Sequence, residues 1–345
     1  MLARLRSLLS AKKNATNDNA AGLQPDPIPP EEVVIGGGPP FRIADHLTLH
    51  YQFPIVDWTS VRSWVEGIDS PELQARAWTA CERAWLLHFR KALGPNFKLA
   101  ESETAMLLSA LEPNVVKATL DYMARTLRRI AIVLDGIAEV SPWGKDLLIV
   151  FDDQEGYYHY VSYYYPEAGE FAFSGGMHID AGCSHYVTVS TDLRSIEPVI
   201  AHEMTHGCLA HLPLPLWLNE GLALNTERRL VGKDSSLYTP QEMREKHLAF
   251  WGEDEIQEFW SGRSFARTDD GNLLSYDLAR IIVEQLAKDW ETFKGFALAA
   301  DRSDAGAHAA HERLGIDLGK YACALLEREP SPAWTPDSAR WQVDS

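Results

Sequence analysis

"HEMTHGCLAHLPLPLWLNEGLALNTERRL", from His202 to Leu230, decides how the chain is read. His202 and His206 stand four residues apart. On an α-helix, positions i and i+4 share a face, so both imidazoles can reach one ion. Two neutral imidazoles and a carboxylate, with water in an open fourth position, form a donor set that suits zinc. Glu203 points slightly around the helix, beside such an ion rather than at it. A base acting on a metal-bound water has to stand there.

Rise per residue permits a third ligand. A helix continuing from His206 to about His211 descends roughly 7–8 Å. Pro213 and Pro215 stop it, because proline cannot continue the backbone ladder. A second helix starting near Trp217 climbs back about 4–5 Å by Glu220. Glu220 then stands nearly level with His206 across a helical hairpin. The two glutamates divide the work: Glu220 holds the ion and Glu203 moves the proton. His211, near the helix end, reads as a partner of the C-terminal dipole.

"VIAHEMTH" followed by "LPLWLNEGLA" resembles the gluzincin metallopeptidases, and most of all their peptidase-MA-like branch, over residues 185–290. The resemblance implies a zincin-like catalytic domain holding one Zn2+ on His202, His206 and Glu220. It implies Glu203 as the base and later proton donor, with Asn219 supporting the site. Tyr276, in "NLLSYDLARIIVEQL", resembles the tyrosine that donates to the oxyanion in the aminopeptidase arrangement; ordinary packing is the competing reading. The family pairs substrate backbone with an edge strand before the metal helix, here "SHYVTVS". That implies a peptide or protein substrate bound as an added strand. The span from His206 to Glu220 is shorter than in the thermolysin and aminopeptidase branches, so their substrate rules do not carry over. No amine-binding motif of the aminopeptidase kind is evident, which leans toward an endopeptidase.

Composition bounds the alternatives. The chain has 345 residues, 49 acidic against 32 basic, and a formal net charge of −17. Such a surface repels phosphates, which argues against nucleic-acid or anionic-membrane partners. No apolar run approaches the length of a spanning helix. Cys81, Cys183, Cys208 and Cys323 are scattered without a C-x-x-C pair, which favours a reducing, cytoplasmic location. The basic, leucine-bearing start "MLARLRSLLSAKKNATN" lacks a signal-peptide core; it reads as a frayed tail, with a transit segment or surface helix as alternatives. Oligomeric state is not legible.

Element patterns give an α+β fold. Residues 1–45 read as a disordered or linker arm, rich in Asn, Pro and Gly after residue 10. Residues 46–140 read as a helical region, packed through Trp58, Trp64, Trp78 and Trp85, with one helix running from a Ser70–Pro71 start to Gly94. Residues 141–330 read as the metallopeptidase domain and 331–345 as an irregular tail. "DLLIVFDD", "GYYHYVSYYY", "GEFAFSGGMHI" and "SHYVTVS" read as strands of a small sheet. The helical period returns at "DLRSIEPVIAHEMTHGCLAH", capped by Asp192 or Ser195, and persists through the C-terminal half.

"HIDAGCSH", with His178, Asp180, Cys183 and His185, reads as a loop rather than a second metal site. His308 and His311 read as a solvated helix, and Cys208 as packing. The rival functions are a non-catalytic binding or regulatory protein that retains a metallopeptidase-like domain, and a zinc hydrolase of a non-peptide amide.

Overall fold

The computed structural model describes residues 28–165, 176–190, 193–232 and 238–341. Strands β1 (Leu47–His50) and β2 (Phe53–Val56) form an antiparallel pair. Helix α1 (Trp58–Glu66) starts where the Asp57 carboxylate accepts from the amides of Thr59 and Ser60. Helix α2 (Pro71–Leu93) opens on Ser70–Pro71 and closes on Gly94, as the sequence predicts. Trp58, Trp78 and Trp85 are buried and packed ring against ring. Trp64 instead stacks on Phe41.

Two short strands then interrupt the stretch read as helical: β3 (Lys98–Glu101) and β4 (Ala105–Ser109). Helix α3 (Pro113–Val133) follows, buried along Leu120, Met123, Leu127 and Ile130. It leads to β5 (Asp146–Phe151), which pairs with β4 in parallel. The sheet therefore draws on both sides of residue 140.

The tyrosine-rich stretch is a helix, α4 (Gln154–Val161), and not the expected strand. Aromatic residues favour strands, but the buried positions are Tyr157, Tyr160 and Val161, which is helical spacing. The Asp153 carboxylate caps the start by accepting from the Gly156 amide. Strand β6 (Gly176–Asp180) and strand β7 (Ser184–Val189) close the sheet in the order β3-β4-β5-β7-β6. The first part of "GEFAFSGGMHI" lies outside the described residues.

Strand β7 is not an edge. It pairs with β5 on one side and β6 on the other, so its backbone has no open ladder to offer a peptide. The edges of this sheet are β3 and β6.

Residues 28–45 of the arm, the part described, pack against the fold. Val33 and Phe41 form an antiparallel bridge and both are buried, while the Pro30 carbonyl meets the His88 ring. "MLARLRSLLSAKKNATN" lies outside the described residues.

The rest is helical: α5 (Leu193–Leu209), α6 (Leu216–Leu230), α7 (Pro240–Phe250), α8 (Glu253–Ser261), α9 (Asp270–Leu286), α10 (Trp290–Ala297), α11 (Ala307–Leu314, its second part π-wound) and α12 (Leu318–Leu325). Asp192 lies outside the described residues, and Ser195 is inside α5. The tail is not wholly irregular: two 3-10 turns form at Pro332–Trp334 and Ser338–Arg340, and the Trp334 carbonyl accepts from the Trp260 indole.

The chain is α+β, divided into two compact units. Of the described residues, one unit comprises those up to Arg125 with those of 139–165 and 176–197, and carries the sheet; the other comprises Thr126–Ala138 and those from Pro198 onward. In the second unit Trp217, Phe259, Trp260, Phe293 and Phe296 are buried together, α6 packs along α9, and the Trp217 indole donates to the Ala305 carbonyl. No helix among the described residues is long and apolar enough to cross a membrane.

Candidate metal centre

The centre is built by α5 and α6, entirely from residues of the second unit. Ala201, Met204, Thr205, Cys208 and Leu209 are buried. That core face fixes the rotation of α5 and leaves His202, Glu203 and His206 on another side. The helix ends at Leu209, and six residues containing Pro213 and Pro215 reverse the chain. The Pro213 carbonyl accepts from the Arg302 amide, which pins the turn. Helix α6 then begins at Leu216, anchored by the fully buried Trp217.

His202 Nε2, His206 Nε2 and a Glu220 carboxylate oxygen converge. The two Nε2 atoms are 3.1 Å apart; Glu220 Oε2 lies 3.2 Å from one and 3.5 Å from the other. The three side chains are 15%, 11% and 11% exposed, so the meeting point is screened but reachable.

The outward nitrogens explain which atoms converge. His202 donates from Nδ1 to Glu227 Oε2 at 3.1 Å, and His206 donates from Nδ1 to Asn219 Oδ1 at 3.1 Å. Each ring thus holds its proton on Nδ1, and in the neutral tautomer each Nε2 presents a lone pair. In that neutral form, two lone pairs and a carboxylate oxygen aimed at one point repel unless a positive charge, whether a metal ion or an imidazolium proton, sits among them. Atoms bound tetrahedrally at about 2.0–2.1 Å from a zinc ion lie about 3.3 Å apart. The three observed separations bracket that value, so the donor set fits zinc in type and in spacing.

Electrostatics agree. Burial pulls the His202 imidazolium down, but the carboxylates of Glu220, Glu227 and Glu203 outweigh it and raise its pKa well above the ordinary value. His206 moves the same way, mainly through Glu220. Burial pushes Glu220 up, and the two histidines more than reverse this, holding it well below the usual carboxylate range. The pocket draws positive charge to the point where the three atoms meet.

Glu203 is buried, and its charge bears on both histidines and on Tyr276. Tyr276 sits on α9, half-buried, with its ring edge-on to Phe265 at 5.1 Å. Burial, then Glu220 and Glu203, push its phenol pKa far up, so it remains a hydrogen-bond donor.

Family models and curated proteins return no match to this chain. The functional reading therefore stands on the residues themselves.

The structure brings His202, His206 and Glu220 together, with Glu220 level with His206 as the hairpin arithmetic predicts; Asn219, expected from the resemblance, meets His206, and Glu203 and Tyr276 are in electrostatic reach. It adds Glu227, which the sequence reading missed. The signal was present: Glu227 lies seven residues after Glu220, about 20° off its face at 100° per residue. Gly221 has a spatial role. A Cβ there would meet Val283 Cγ2 at 2.5 Å and the Ala279 carbonyl oxygen at 2.6 Å, so the missing side chain sets how closely α9 approaches α6. Asn225 ties the same pair, donating to the carbonyls of Gly221 and Arg280.

The other candidates separate. His178 meets Ser184 Oγ, and His185 is buried, donating from Nδ1 to the Cys183 carbonyl and accepting from the Tyr160 hydroxyl. His211, His308 and His311 are exposed, and all four cysteines are buried. Among the described residues, His202, His206 and Glu220 form the one metal-competent group.

Proposed function

We propose that this protein is a zinc-dependent metallopeptidase of the gluzincin kind. One observation carries the reading: two Nε2 atoms and a carboxylate oxygen converge at zinc-like spacing while Glu227 and Asn219 accept from both Nδ1 atoms on the outward side. His202, His206 and Glu220 would hold the ion. A bound zinc supplies Lewis-acid polarisation of the scissile carbonyl and a water that ionises near neutral pH.

The chain's own groups do the rest. Glu203 accepts the proton of the attacking water on a carboxylate oxygen and returns it to the leaving amine nitrogen. Tyr276 keeps its phenolic proton and donates to the substrate oxygen as negative charge develops there. Glu227 and Asn219 keep the imidazoles in the tautomer and orientation that hold Nε2 bare.

The test is Glu203→Gln in the full chain, assayed for zinc content and for cleavage of a peptide library. Retained zinc with hydrolysis reduced at least ~100-fold is the expected result. Unchanged cleavage refutes the role of Glu203. A wild-type chain that binds zinc and cleaves no peptide refutes the peptidase assignment, and one that binds no zinc refutes the centre.

A further inference from the structure

Glu220 is the one member of the metal group that α5 does not carry. His202 and His206 share a helix, so the height of α6 against α5 decides whether the third donor meets them. Metal–ligand distances tolerate about 0.2 Å, whereas a slide of one residue along a helix is about 1.5 Å. Helix α6 therefore needs a fixed start. Helices α7, α9 and α10 of the same unit each begin on a capping side chain, that of Thr239, Asp269 or Asp289. Helix α6 has no such cap, because Pro215 stands at its start and offers no side-chain acceptor.

The start of α6 is gripped instead by the turn between α10 and α11. The indole of Trp217, buried in the first turn of α6, donates to the Ala305 carbonyl at 3.0 Å. The Arg302 amide donates to the Pro213 carbonyl at 2.8 Å. One short turn thus meets the hairpin just before α6 and again within its first turn. The turn is also braced from within. The Gly306 amide meets the Asp301 carbonyl at 2.9 Å and Asp304 Oδ1 at 2.8 Å, and the His308 amide meets Asp304 Oδ2 at 2.9 Å. Ala305 is buried with φ 55°, a left-handed backbone that a Cβ makes costly. This strained residue is the one whose carbonyl the indole meets.

We infer that the turn from Asp301 to Gly306 positions Glu220 for the metal, acting through Trp217. Glu220 follows Trp217 by three residues, about 4.5 Å along one helix, so a shift of the indole carries the carboxylate with it. An N–H···O bond confines its atoms to roughly 2.7–3.2 Å, a window narrower than one residue of helical slide. Phe259, Trp260 and Phe296 pack around the Trp217 ring and fill space, while the directional N–H bond fixes the height. Trp217 is a positioning residue and not a ligand. The inference rests on the metal centre proposed above and not on peptide cleavage.

The test measures zinc affinity of the full chain by chelator competition, together with the visible absorption band of bound Co2+, which follows coordination geometry. Trp217→Phe keeps a buried ring and deletes the N–H; it should weaken zinc roughly tenfold and shift the Co2+ band. Trp260→Phe is the matched control. It deletes another buried indole bond of the same cluster, to the Trp334 carbonyl at 2.8 Å. It should lower the melting temperature about as much as Trp217→Phe, yet leave zinc affinity and the Co2+ band at wild-type values. Arg302 is exposed and opens a 3-10 turn after an extended Asp301, so proline fits there and removes the amide donor. Arg302→Pro should weaken zinc at least ~threefold, and it decides if Trp217→Phe fails to fold. Wild-type affinity and band in Trp217→Phe, or equal changes in Trp260→Phe, would overturn the inference while leaving the metal centre standing. A wild-type chain that binds neither metal overturns both.

Discussion

Removing Glu227 should weaken zinc binding without touching a ligand. Its carboxylate is 3.1 Å from His202 Nδ1 and holds that proton on the outward nitrogen. In Glu227→Ala the Nδ1–H loses its acceptor in a side chain only 15% exposed, which costs about 1–3 kcal/mol. The imidazole can recover part of that by shifting its proton to Nε2, but Nε2 is the atom that must be bare. Loss of such an outer partner typically lowers metal affinity 10–100-fold, about 1.4–2.7 kcal/mol. Glu227→Gln keeps an acceptor oxygen without the charge and should fall between, since Asn219 serves His206 as a neutral acceptor. The assay is competition with a chromophoric chelator of known zinc affinity at pH 7.5. An alanine variant within threefold of wild type would refute the claim that Glu227 sets the tautomer.

Three further outcomes are expected. Tyr276→Phe should lower kcat roughly 100–1,000-fold with zinc content unchanged, if its hydroxyl meets the developing oxyanion; an unchanged kcat would return Tyr276 to packing. Gly221→Ala should destabilise the protein by about 1–3 kcal/mol in urea denaturation, because part of what its Cβ meets is backbone that cannot rotate away; a midpoint shift under ~0.5 kcal/mol would contradict the close α6–α9 approach. His185 is buried neutral, and burial lowers its pKa from 6.5 to about 4. The unfolded chain then takes up that proton first as pH falls, so stability is complete above about pH 6.5 and declines toward pH 4. The loss is about 3 kcal/mol at 1.36 kcal/mol per pKa unit. Melting curves of wild type and His185→Gln at pH 7 and 4.5 should converge at the lower pH, and parallel curves would contradict this.

The helical hairpin was legible because two prolines and the rise of a helix leave Glu220 few places to go. The tyrosine-rich helix α4 was misread because residue preference was weighed above spacing. Strand β4 escaped for a different reason: all five of its residues are buried, so it shows no alternation. Its run, Ala-Met-Leu-Leu-Ser, reads equally well as helix. Glu227 was overlooked because its task depends on which nitrogen of His202 faces inward, and that choice exists only once α5 and α6 are side by side.

An ion held by His206 and Glu220 would also change the topology of the chain. It would close a ring through the proline turn, in the manner of a cross-link. Closing a loop of about fifteen residues restricts the unfolded chain by about 3 kcal/mol in loop-entropy models. Pro213 and Pro215 already stiffen that same segment in the unfolded chain, so part of the restriction is present before any ion binds. The ion is then a short brace between two helices that are neighbours in sequence. Its grip is felt in the α5–α6 hairpin, and distant parts of the fold owe it little.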